Sequence, residues 1–541
     1  MNIPSPAELN IPFPSWREAQ LDAMERCMAT NKQFIVIDAP TGVGKSGIAI
    51  GLHYLLGASR TVITTSTKYL QQQYNEAFGI PTIWGRGNYP CAVMPSVSAE
   101  DGPCVIDKGC DHQSKWTICE YYKAKKCAAS APIAILNNSY FLHEANYAGA
   151  FSNADLLVFD EGHLLESSLM SFVGVRLPFK TLAQYTSQWQ DIQEPMQLLS
   201  VANQIEPIVH NEVNHATEQL ANSVTSENLQ ILRRVSALHK KLIRVKHTDL
   251  HDWVLNRDLS GFSLVPIVVK DVAYDYAFRH GKRIIIMSAT ILNGEVFGRQ
   301  LGIEPDDIEF ISVPSPFMPA MRQVLYCPAA KLNYKSSDAE YQKLFDAINL
   351  IATKHSDQSG VIHCVSYKLR DHIMDNLTPA VRRRIITHGK EYGTREDAID
   401  RFKRTLGSIL LSPSAEVGLD FPDDEARFAI WAKLPFADLQ DKQVKARSEM
   451  DKDWYPWLTL CSLIQGSGRI VRHDKDWGIT YILDKNLGWM LKYKKHLFAP
   501  WFLDALHVYS IRKLKQQVDK QQQHQDQQQR VLGRGIFAVS I

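Results

Sequence analysis

A chain of 541 residues has room for three or four compact units, each with its own hydrophobic core. Hydrophobic residues make up 45% and charged residues 22% of the sequence, as in globular proteins, and a formal charge of +2 excludes a global basic field. The sequence has no apolar run long enough to cross a bilayer and no secretion signal at its start. We therefore expect a soluble, cytoplasmic protein.

Eight short runs rich in Val, Ile and Leu predict strands that are buried on both faces of parallel sheets. Helical patterns lie between these runs, so we expect an α/β protein with two open sheets. In chain order the predicted strands are 34–38, 61–66, 156–160, 283–290, 360–367, 408–412, 426–436 and 479–484.

Two insertions interrupt the first predicted sheet. Residues 86–130 hold five of the nine cysteines, and residues 166–255 have helical spacing with few strand-like runs. A Gln-rich tract at 516–530 predicts a frayed helix or disorder. The predicted boundaries are 1–85, 131–165 and 256–320 for the first sheet domain, 321–500 for the second, and 501–541 for a C-terminal helix and tail.

Residues 39–46 read APTGVGKS and stand between a predicted strand and a predicted helix, which is the context of a P-loop. Gly42 and Gly44 let backbone N–H groups approach phosphates, Lys45 supplies a positive charge, and Ser46 supplies a hydroxyl for Mg²⁺. The residues predicted to bind the nucleotide here are Ala39, Pro40, Thr41, Gly42, Val43, Gly44, Lys45 and Ser46.

The strand at 156–160 runs into Asp160-Glu161-Gly162-His163. A carboxylate at the carboxyl end of such a strand lies where ligands bind in open α/β sheets. We expect Asp160 to hold Mg²⁺ together with Ser46, Glu161 to polarise the attacking water, and His163 to couple this edge to the other domain.

A third segment, far along the chain, contains Gln465, Arg469 and Arg472. The i, i+3 spacing of the two arginines predicts that one helical face aims both guanidinium groups at the γ-phosphate held by the other domain. Arginine at that position stabilises charge on the transferred phosphoryl group.

Taken together, these segments resemble the DEAH-type helicases of the XPD/DinG group of superfamily 2, over most of residues 13–490. The matches are Lys45 and Ser46 (motif I), TTSTKYLQQQ at 64–73 (motif Ia), Asp160, Glu161 and His163 (motif II), Ser288-Ala289-Thr290 (motif III), SPSAEVGLDFP at 412–422 with AKLPF at 432–436 (motif V), and Gln465, Arg469 and Arg472 (motif VI).

The resemblance implies two RecA-like P-loop domains with parallel sheets, and a monomeric DNA helicase that hydrolyses ATP with Mg²⁺ between them. It implies 5′ to 3′ movement on single-stranded DNA and action on forked, D-loop or R-loop structures. It also places Arg17 and Gln20 near the adenine, and Glu416, Gly418 and Asp420 near the nucleotide and the hinge. Gly162 departs from the family's usual Ala, which we expect to loosen the turn, and the arch-like helical insertion is short.

Five cysteines between residues 91 and 127 favour a metal site over disulfides in a cytosolic chain. GRGNYPC at 85–91 and CEYYK at 119–123 are similar to the segments that open and close this family's iron–sulfur domain. The resemblance implies a [4Fe–4S] cluster held by Cys91, Cys104, Cys110 and Cys119. A helix after Cys119 would put Cys127 about 12 Å farther along its axis, so we leave Cys127 structural. Zinc, or reduced cysteines without metal, are the alternatives.

Two basic stretches are candidate contacts for a single strand, although each is equally well explained as a solvated helix face. An alternative function is a P-loop ATPase that binds or remodels nucleic acid without unwinding it, which the motif V and motif VI segments disfavour. An attached nuclease is disfavoured because no paired-carboxylate pattern precedes residue 13. The candidate contacts are Lys115, Trp116, Lys123, Lys125 and Lys126 near the cysteines, and Arg233, Arg234, Lys240, Lys241, Arg244 and Lys246 in the helical insertion.

Overall fold

A computed structural model of the protein describes residues 3–106, 117–333, 335–413, 420–520 and 523. The chain divides into two compact units. The first comprises the described residues of Met1–Ala39, Gly44–Val313 and Asp438–Lys452, and the second those of Pro40–Val43, Pro314–Ala437 and the chain from Asp453 onward. Asp438–Lys452, which lies inside the predicted domain 321–500, thus packs with the first unit. Within the described residues, no helix is both long and apolar enough to span a membrane.

The described residues of the first unit contain nine strands in two sheets. They are β1 (Phe34–Asp38), β2 (Thr61–Thr65), β3 (Ile133–Asn137), β4 (Ala154–Asp160), β5 (Val175–Pro178), β6 (Trp253–Arg257), β7 (Gly261–Pro266), β8 (Gly281–Ser288) and β9 (Ile308–Ser312). Six of these strands form a parallel sheet in the order β3-β2-β4-β8-β1-β9. The four predicted strands of this half, β1, β2, β4 and β8, are confirmed as neighbours within it.

Helices connect these strands and cover the parallel sheet. The helix Lys45–Leu55 follows the P-loop directly. Most of its length is buried because seven of its residues are Gly, Ile, Ala or Leu. The helices of the first unit are Glu18–Ala29, Lys45–Leu55, Lys68–Phe78, Glu120–Ser130, Asn138–His143, Leu165–Val173, Phe179–Leu182, Pro195–Asn222, Ser226–His247, Lys270–Tyr276, Gly294–Leu301 and Lys442–Met450.

The insertion predicted as helical at 166–255 contains an antiparallel sheet as well as helices. Its two long helices, Pro195–Asn222 and Ser226–His247, pack together through buried Leu and Val side chains. The sheet has the order β5-β7-β6, and β6 and β7 form a hairpin whose turn is held by Asp258, which accepts from Ser260 N and Gly261 N. Within 166–255 the described strands are β5 and the start of β6, in agreement with the expected few strand-like runs, and the hairpin continues past residue 255.

The second unit is built on one seven-stranded parallel sheet in the order β12-β13-β11-β14-β15-β10-β16. Its strands are β10 (Arg322–Ala330), β11 (Gly360–His363), β12 (Ile385–Ile386), β13 (Ile409–Ser412), β14 (Phe428–Trp431), β15 (Gly478–Asp484) and β16 (Leu506–Val508). Its helices are Asp338–Lys354, Tyr367–Asp375, Pro379–Arg382, Arg395–Arg404, Trp454–Ser467, Asn486–Tyr493 and Pro500–Ala505.

The core of the second unit explains why its predicted strands were recognisable. β11, β13 and β14 are buried along their whole length, and β15 is buried except for one partly exposed residue, so apolar residues occupy both faces. Two parallel sheets with helical connections confirm the predicted α/β class. The Gln-rich tract begins within helical residues 511–520, and most of it lies outside the described residues.

Candidate active site

Three neighbouring strands of the first sheet end in polar residues at the same edge. β4 ends at Asp160, β8 at Ser288 and β1 at Asp38, and Asp38 stands opposite Ser288 in the register. The carboxyl edge of a parallel sheet is where open α/β proteins bind ligands. All three residues are at least 95% buried, which concentrates their charge and hydrogen-bonding capacity at this edge.

The P-loop follows β1 and turns on glycines. Gly42 and Gly44 both have φ of +89°, in the left-handed region that favours glycine. Ala39 is fully buried and donates from its N–H to Ser288 O, and Lys45 and Ser46 open the next helix. A helix N-terminus at the end of such a loop presents free N–H groups, which suits bound phosphate.

Lys45 lies beside the carboxylates of motif II. Its Nζ is 3.4 Å from Glu161 Oε1, and the lysine side chain is only 13% exposed. Burial lowers the pKa of Lys45, but the neighbouring Glu161 and Asp160 outweigh burial and raise it, so the ammonium stays charged. Burial and the adjacent Glu161 raise the pKa of Asp160. The cluster therefore joins one cation to two carboxylates, an arrangement that phosphate and a divalent cation can enter.

His163 links motif II to motif III within the first unit. Its Nδ1 is 2.7 Å from Ser288 Oγ and 3.4 Å from Glu161 Oε2. Asp38, which we did not single out from the sequence, accepts from Ile291 N and Leu292 N, each at 3.0 Å. Asp38 thereby holds the segment after Thr290 against the P-loop strand. The position of Asp38 at the end of the first predicted strand is the sequence feature that could have indicated this role.

Gly162 is required by close packing. A Cβ at this position would overlap Cγ2 of Ile286 on β8. The expectation that glycine loosens the turn is incomplete, because the close packing against β8 also excludes a methyl group at this position. Glu161, the preceding residue, has φ of +54°, in the left-handed region of backbone conformation. This conformation of the turn directs the Glu161 carboxylate towards Lys45.

Tyr74 is a second functional candidate that sequence reasoning missed. Its hydroxyl donates to Asp160 Oδ2 at 2.9 Å, and its side chain is 3% exposed. Tyr74 lies on the helix Lys68–Phe78, which begins within the segment resembling motif Ia. No sequence spacing connects residue 74 to residue 160, so only the fold brings them together.

Gln20 braces the P-loop from the preceding helix. Its Nε2 donates to Gly44 O at 3.0 Å, and its Oε1 accepts from Arg17 N at 2.9 Å. Gly44 has no room for a Cβ, which would lie 2.6 Å from Gln20 Nε2. Arg17 caps the helix Glu18–Ala29. The predicted Arg17–Gln20 pair is therefore joined to the phosphate-binding loop.

In the second unit, Arg469 and Arg472 converge on Asp420. Arg469 Nη1 is 3.1 Å from Asp420 Oδ1, and Arg472 also pairs with that carboxylate. The prediction that both arginines share a helical face is wrong, because the helix Trp454–Ser467 ends before them at the C-cap Gly468. Glycine on both sides of Ser467 favours that termination. Gln465 lies in the last turn of the helix, whereas Glu416 and Gly418 lie outside the described residues.

Three of the four predicted cluster ligands are described; Cys110 is not. Cys91 and Cys119 are buried, and Cys104 is partly buried. Cys91 Sγ accepts from Met94 N, and a Cβ at Gly102 would lie 2.7 Å from this sulfur, so Gly102 packs closely against Cys91. Cys119 caps the helix Glu120–Ser130, which confirms the predicted helix and leaves Cys127 exposed on it.

The described cysteines do not form a compact group of metal ligands. Within the described residues, the groups close enough to share one metal ion contain no cysteine. A [4Fe–4S] cluster takes each thiolate on a different iron, so its ligands need not approach one another so closely. Arg86 lies near Cys104 and stacks over Tyr121 at 5.1 Å, which provides a positive charge next to a thiolate ligand.

Most of the basic candidates are engaged in the fold. Lys125 pairs with Glu144 at 2.5 Å, Lys123 with Glu120 at 2.9 Å, and Arg233 with Glu100 and Asp101. Lys246 pairs with Glu206, and Arg244 donates to Phe172 O. Lys115 and Trp116 lie outside the described residues. Arg234, Lys240 and Lys241 are exposed on the helix Ser226–His247.

A polar cavity of about 250 Å³ lies next to this helix. It is lined by Ser139, His143, Ser167, Ser168, Ser171 and Phe172. Burial and the nearby Arg244 and Lys240 lower the pKa of His143, so two cations flank the cavity. Hydroxyls with flanking cations suit a phosphate-bearing chain.

Two family models match the chain. The model of the helicase C-terminal domain matches residues 349–502, and the model of the type III restriction enzyme res subunit matches residues 13–201. A probable ATP-dependent helicase of Methanocaldococcus jannaschii is 21% identical, over 88% of this chain and 92% of that protein. The ATP-dependent DNA helicase YoaA of Haemophilus influenzae is 22% identical, over 84% of this chain and 88% of YoaA.

Two further proteins are similar to the chain. The ATP-dependent DNA helicase DinG of Photobacterium profundum is 26% identical, over 52% of this chain and 44% of DinG. A solved XPD helicase structure has the same fold, with a TM-score of 0.61 at 16% identity, over 92% of this chain and 100% of that one. With its P-loop, its DEGH turn and its paired arginines, the chain is similar to the XPD/DinG-like helicases of superfamily 2.

Proposed function

We propose that this protein is an ATP-dependent DNA helicase that moves 5′ to 3′ along single-stranded DNA as a monomer. The observation that carries the proposal is the ion pair between Lys45 and Glu161, beside Asp160, at the carboxyl edge of a parallel sheet. The YoaA and DinG relatives, which are named as ATP-dependent DNA helicases, support DNA as the substrate. The polarity rests on the family resemblance alone.

Nucleotide binding would exchange the partners of Lys45. The γ-phosphate oxygens of ATP would replace Glu161 at the ammonium group, which leaves the Glu161 carboxylate to orient and polarise the attacking water. Ser46 and Asp160 would hold Mg²⁺, which neutralises phosphate charge when bound. Tyr74 and Gln20 would keep Asp160 and the P-loop in position throughout.

Arg469 and Arg472 would stabilise charge on the transferred phosphoryl group. Both guanidinium groups are at least 84% buried and share the exposed carboxylate of Asp420. Without nucleotide, the Asp420 carboxylate neutralises and orients the two guanidinium groups. Phosphate oxygens of a bound nucleotide would compete with Asp420 for these groups. Gln465, one helical turn earlier, would complete this nucleotide contact.

The cysteine-rich insertion would hold a [4Fe–4S] cluster on Cys91, Cys104, Cys110 and Cys119. Support comes from the soft thiolate donors and from the positive charge of Arg86 near Cys104. Cys127 would remain outside the cluster, because it faces outward from the helix. The cluster would act as a rigid wedge where strands separate.

Single-stranded DNA would run past the serine-lined cavity. Lys240 and Arg244 supply positive charge beside it, and the cavity lies against the helix Leu165–Val173 that follows the DEGH turn. Forked, D-loop and R-loop structures are the expected substrates, since each offers a single strand next to a duplex.

Strand displacement tests the proposal. Two partial duplexes, one with a 5′ and one with a 3′ single-stranded tail, would be incubated with wild-type protein, Lys45→Ala and the surface control Lys282→Ala, with and without ATP. We expect ATP-dependent displacement only of the 5′-tailed duplex by wild type and by Lys282→Ala. DNA-stimulated hydrolysis without any displacement would instead favour an ATPase that remodels nucleic acid without unwinding it.

A further inference from the structure

Three potential metal ligands meet on the two long helices of the insertion. Glu206 and His210 stand one turn apart on the helix Pro195–Asn222, and His239 stands on the facing helix Ser226–His247. One ligand atom from each lies within 4.8 Å of the others. None of the three belongs to the nucleotide-binding or cysteine residues described above.

The contacts within this cluster already resemble a metal site. Glu206 Oε1 is 2.9 Å from His239 Nε2, and the rings of His210 and His239 have centroids 5.0 Å apart. For zinc–ligand bonds of about 2.0–2.1 Å, tetrahedral ligand atoms lie about 3.4 Å apart. His210 is exposed, so its ring can turn to reach that distance.

Lys246 orients the carboxylate. Its Nζ binds Glu206 Oε2 at 2.7 Å, which leaves Oε1 on the side of the imidazoles. The hydrogen bonds from Lys246 and His239 lower the pKa of Glu206 and keep it anionic. An outer partner of this kind is typical of ligating carboxylates.

A second cluster, formed by Asp423, His473 and Asp476, is a poorer candidate. Arg427 Nη1 is 2.8 Å from Asp476 Oδ1, and its guanidinium also pairs with Asp424. Asp476 Oδ2 also accepts from Arg472 N, so groups outside that cluster engage both oxygens of Asp476, whereas Glu206 Oε1 contacts only the proposed ligand His239 among the bonds described above.

We propose that Glu206, His210 and His239 bind a divalent transition metal ion, with zinc the best match to two imidazoles and a carboxylate. The ion would cross-link the two long helices of the insertion and keep its fourth position for water. Because the ligands come from both helices, the bound ion would stabilise their pairing by mass action. This inference is independent of the proposed helicase activity.

Cobalt titration of the full-length protein distinguishes this site from the cysteines, because imidazole and carboxylate ligands give visible cobalt absorption without the strong ultraviolet band of thiolate ligands. His210→Ala is the test variant, since its side chain is exposed. His215→Ala, also exposed and on the same helix, is the matched control. Zinc competition would then rank the affinities.

We expect wild type and His215→Ala to take up one more equivalent of cobalt than His210→Ala, without added thiolate absorption. Zinc affinity should fall in His210→Ala by more than the roughly 10–100-fold typical of losing an outer partner. Zinc should also raise the melting temperature of wild type but not of His210→Ala. Equal uptake and equal melting behaviour in all three proteins would overturn the proposal, as would cobalt spectra with thiolate character only.

Discussion

Tyr74 donates a hydrogen bond to Asp160 Oδ2 at 2.9 Å, from within the core of the first unit. The tyrosine lies on the helix that opens in the segment resembling motif Ia, and the aspartate ends β4. A buried hydroxyl therefore connects the helix Lys68–Phe78 with the carboxylate proposed to hold Mg²⁺. Tyr74 is a positioning residue, since it touches neither nucleotide nor metal in this proposal.

Tyr74→Phe should raise the Mg²⁺ concentration needed for ATP hydrolysis and lower the maximal rate about tenfold, because a hydrogen bond to a charged group contributes about 1.5–3 kcal/mol. Steady-state hydrolysis over a range of Mg²⁺ concentrations measures both effects. Tyr69→Phe, on the exposed face of the same helix, is the control and should match wild type. If Tyr74→Phe shows the magnesium dependence of wild type, Tyr74 contributes packing alone and does not position Asp160.

Cys104→Ser should leave ATP binding unchanged and remove iron, because three thiolates hold a [4Fe–4S] cluster poorly. Iron content and visible absorption of purified protein measure the loss, with Cys127→Ser as the control that should keep both. A colourless, iron-free wild-type protein that still separates strands would rule the cluster out.

Gly162→Ala should destabilise the protein by about 1–3 kcal/mol, since its new methyl group overlaps Ile286 and must displace packed β8. Urea unfolding followed by tryptophan fluorescence measures the change. Gly85→Ala is a suitable control, because its nearest neighbour would be 3.8 Å away and its φ is −60°. Equal urea midpoints for the Gly162→Ala variant and wild type would show that β8 accommodates the methyl group without loss of stability.

Stability should fall as the pH drops from about 6.5 to about 4, in part because of His355. The His355 ring is buried, stacks on Phe428 and forms a hydrogen bond with the Tyr481 hydroxyl. Burial lowers the pKa of His355 to about 4. Between those pH values the unfolded chain binds a proton that the folded chain does not, so acid favours unfolding. The lost contribution is about 2 kcal/mol at pH 5.

His355→Gln checks this assignment. Urea unfolding at pH 7 and pH 5 should give a smaller difference for this variant than for wild type, by about 2 kcal/mol. His372→Gln, on the partly exposed helix Tyr367–Asp375, should keep the wild-type difference. An unchanged difference in His355→Gln would assign the pH dependence to other groups.

Sequence patterns located those parts of the fold that depend on continuous apolar runs. β1, β4 and β8 are such runs, and the P-loop and DEGH turns follow two of them directly. β3 and β9 were not predicted. A glutamate interrupts the apolar run of β9, whereas β3 is as short and as apolar as β1 and was overlooked directly after the cysteine-rich insertion. The antiparallel sheet escaped because its strands are short and lie at both ends of a helical insertion.

The site residues that sequence analysis missed depend on tertiary contacts. Tyr74 reaches Asp160 across 86 residues, and Asp38 reaches Leu292 across 254. No local spacing encodes these distances. The two arginines illustrate the opposite error, because i, i+3 spacing indicates a shared helical face only while the helix continues. At Gly468 it ends, and Asp420 brings the two side chains together instead.

Single-turnover ATP hydrolysis by Arg469→Lys, with saturating single-stranded DNA, tests the central claim most directly. Lysine keeps the charge but lacks the planar fork, so ATP binding measured separately should remain near wild type. The account predicts hydrolysis at least about 1,000-fold slower than wild type, with Arg401→Lys unaffected. Hydrolysis by Arg469→Lys at the wild-type rate would contradict it.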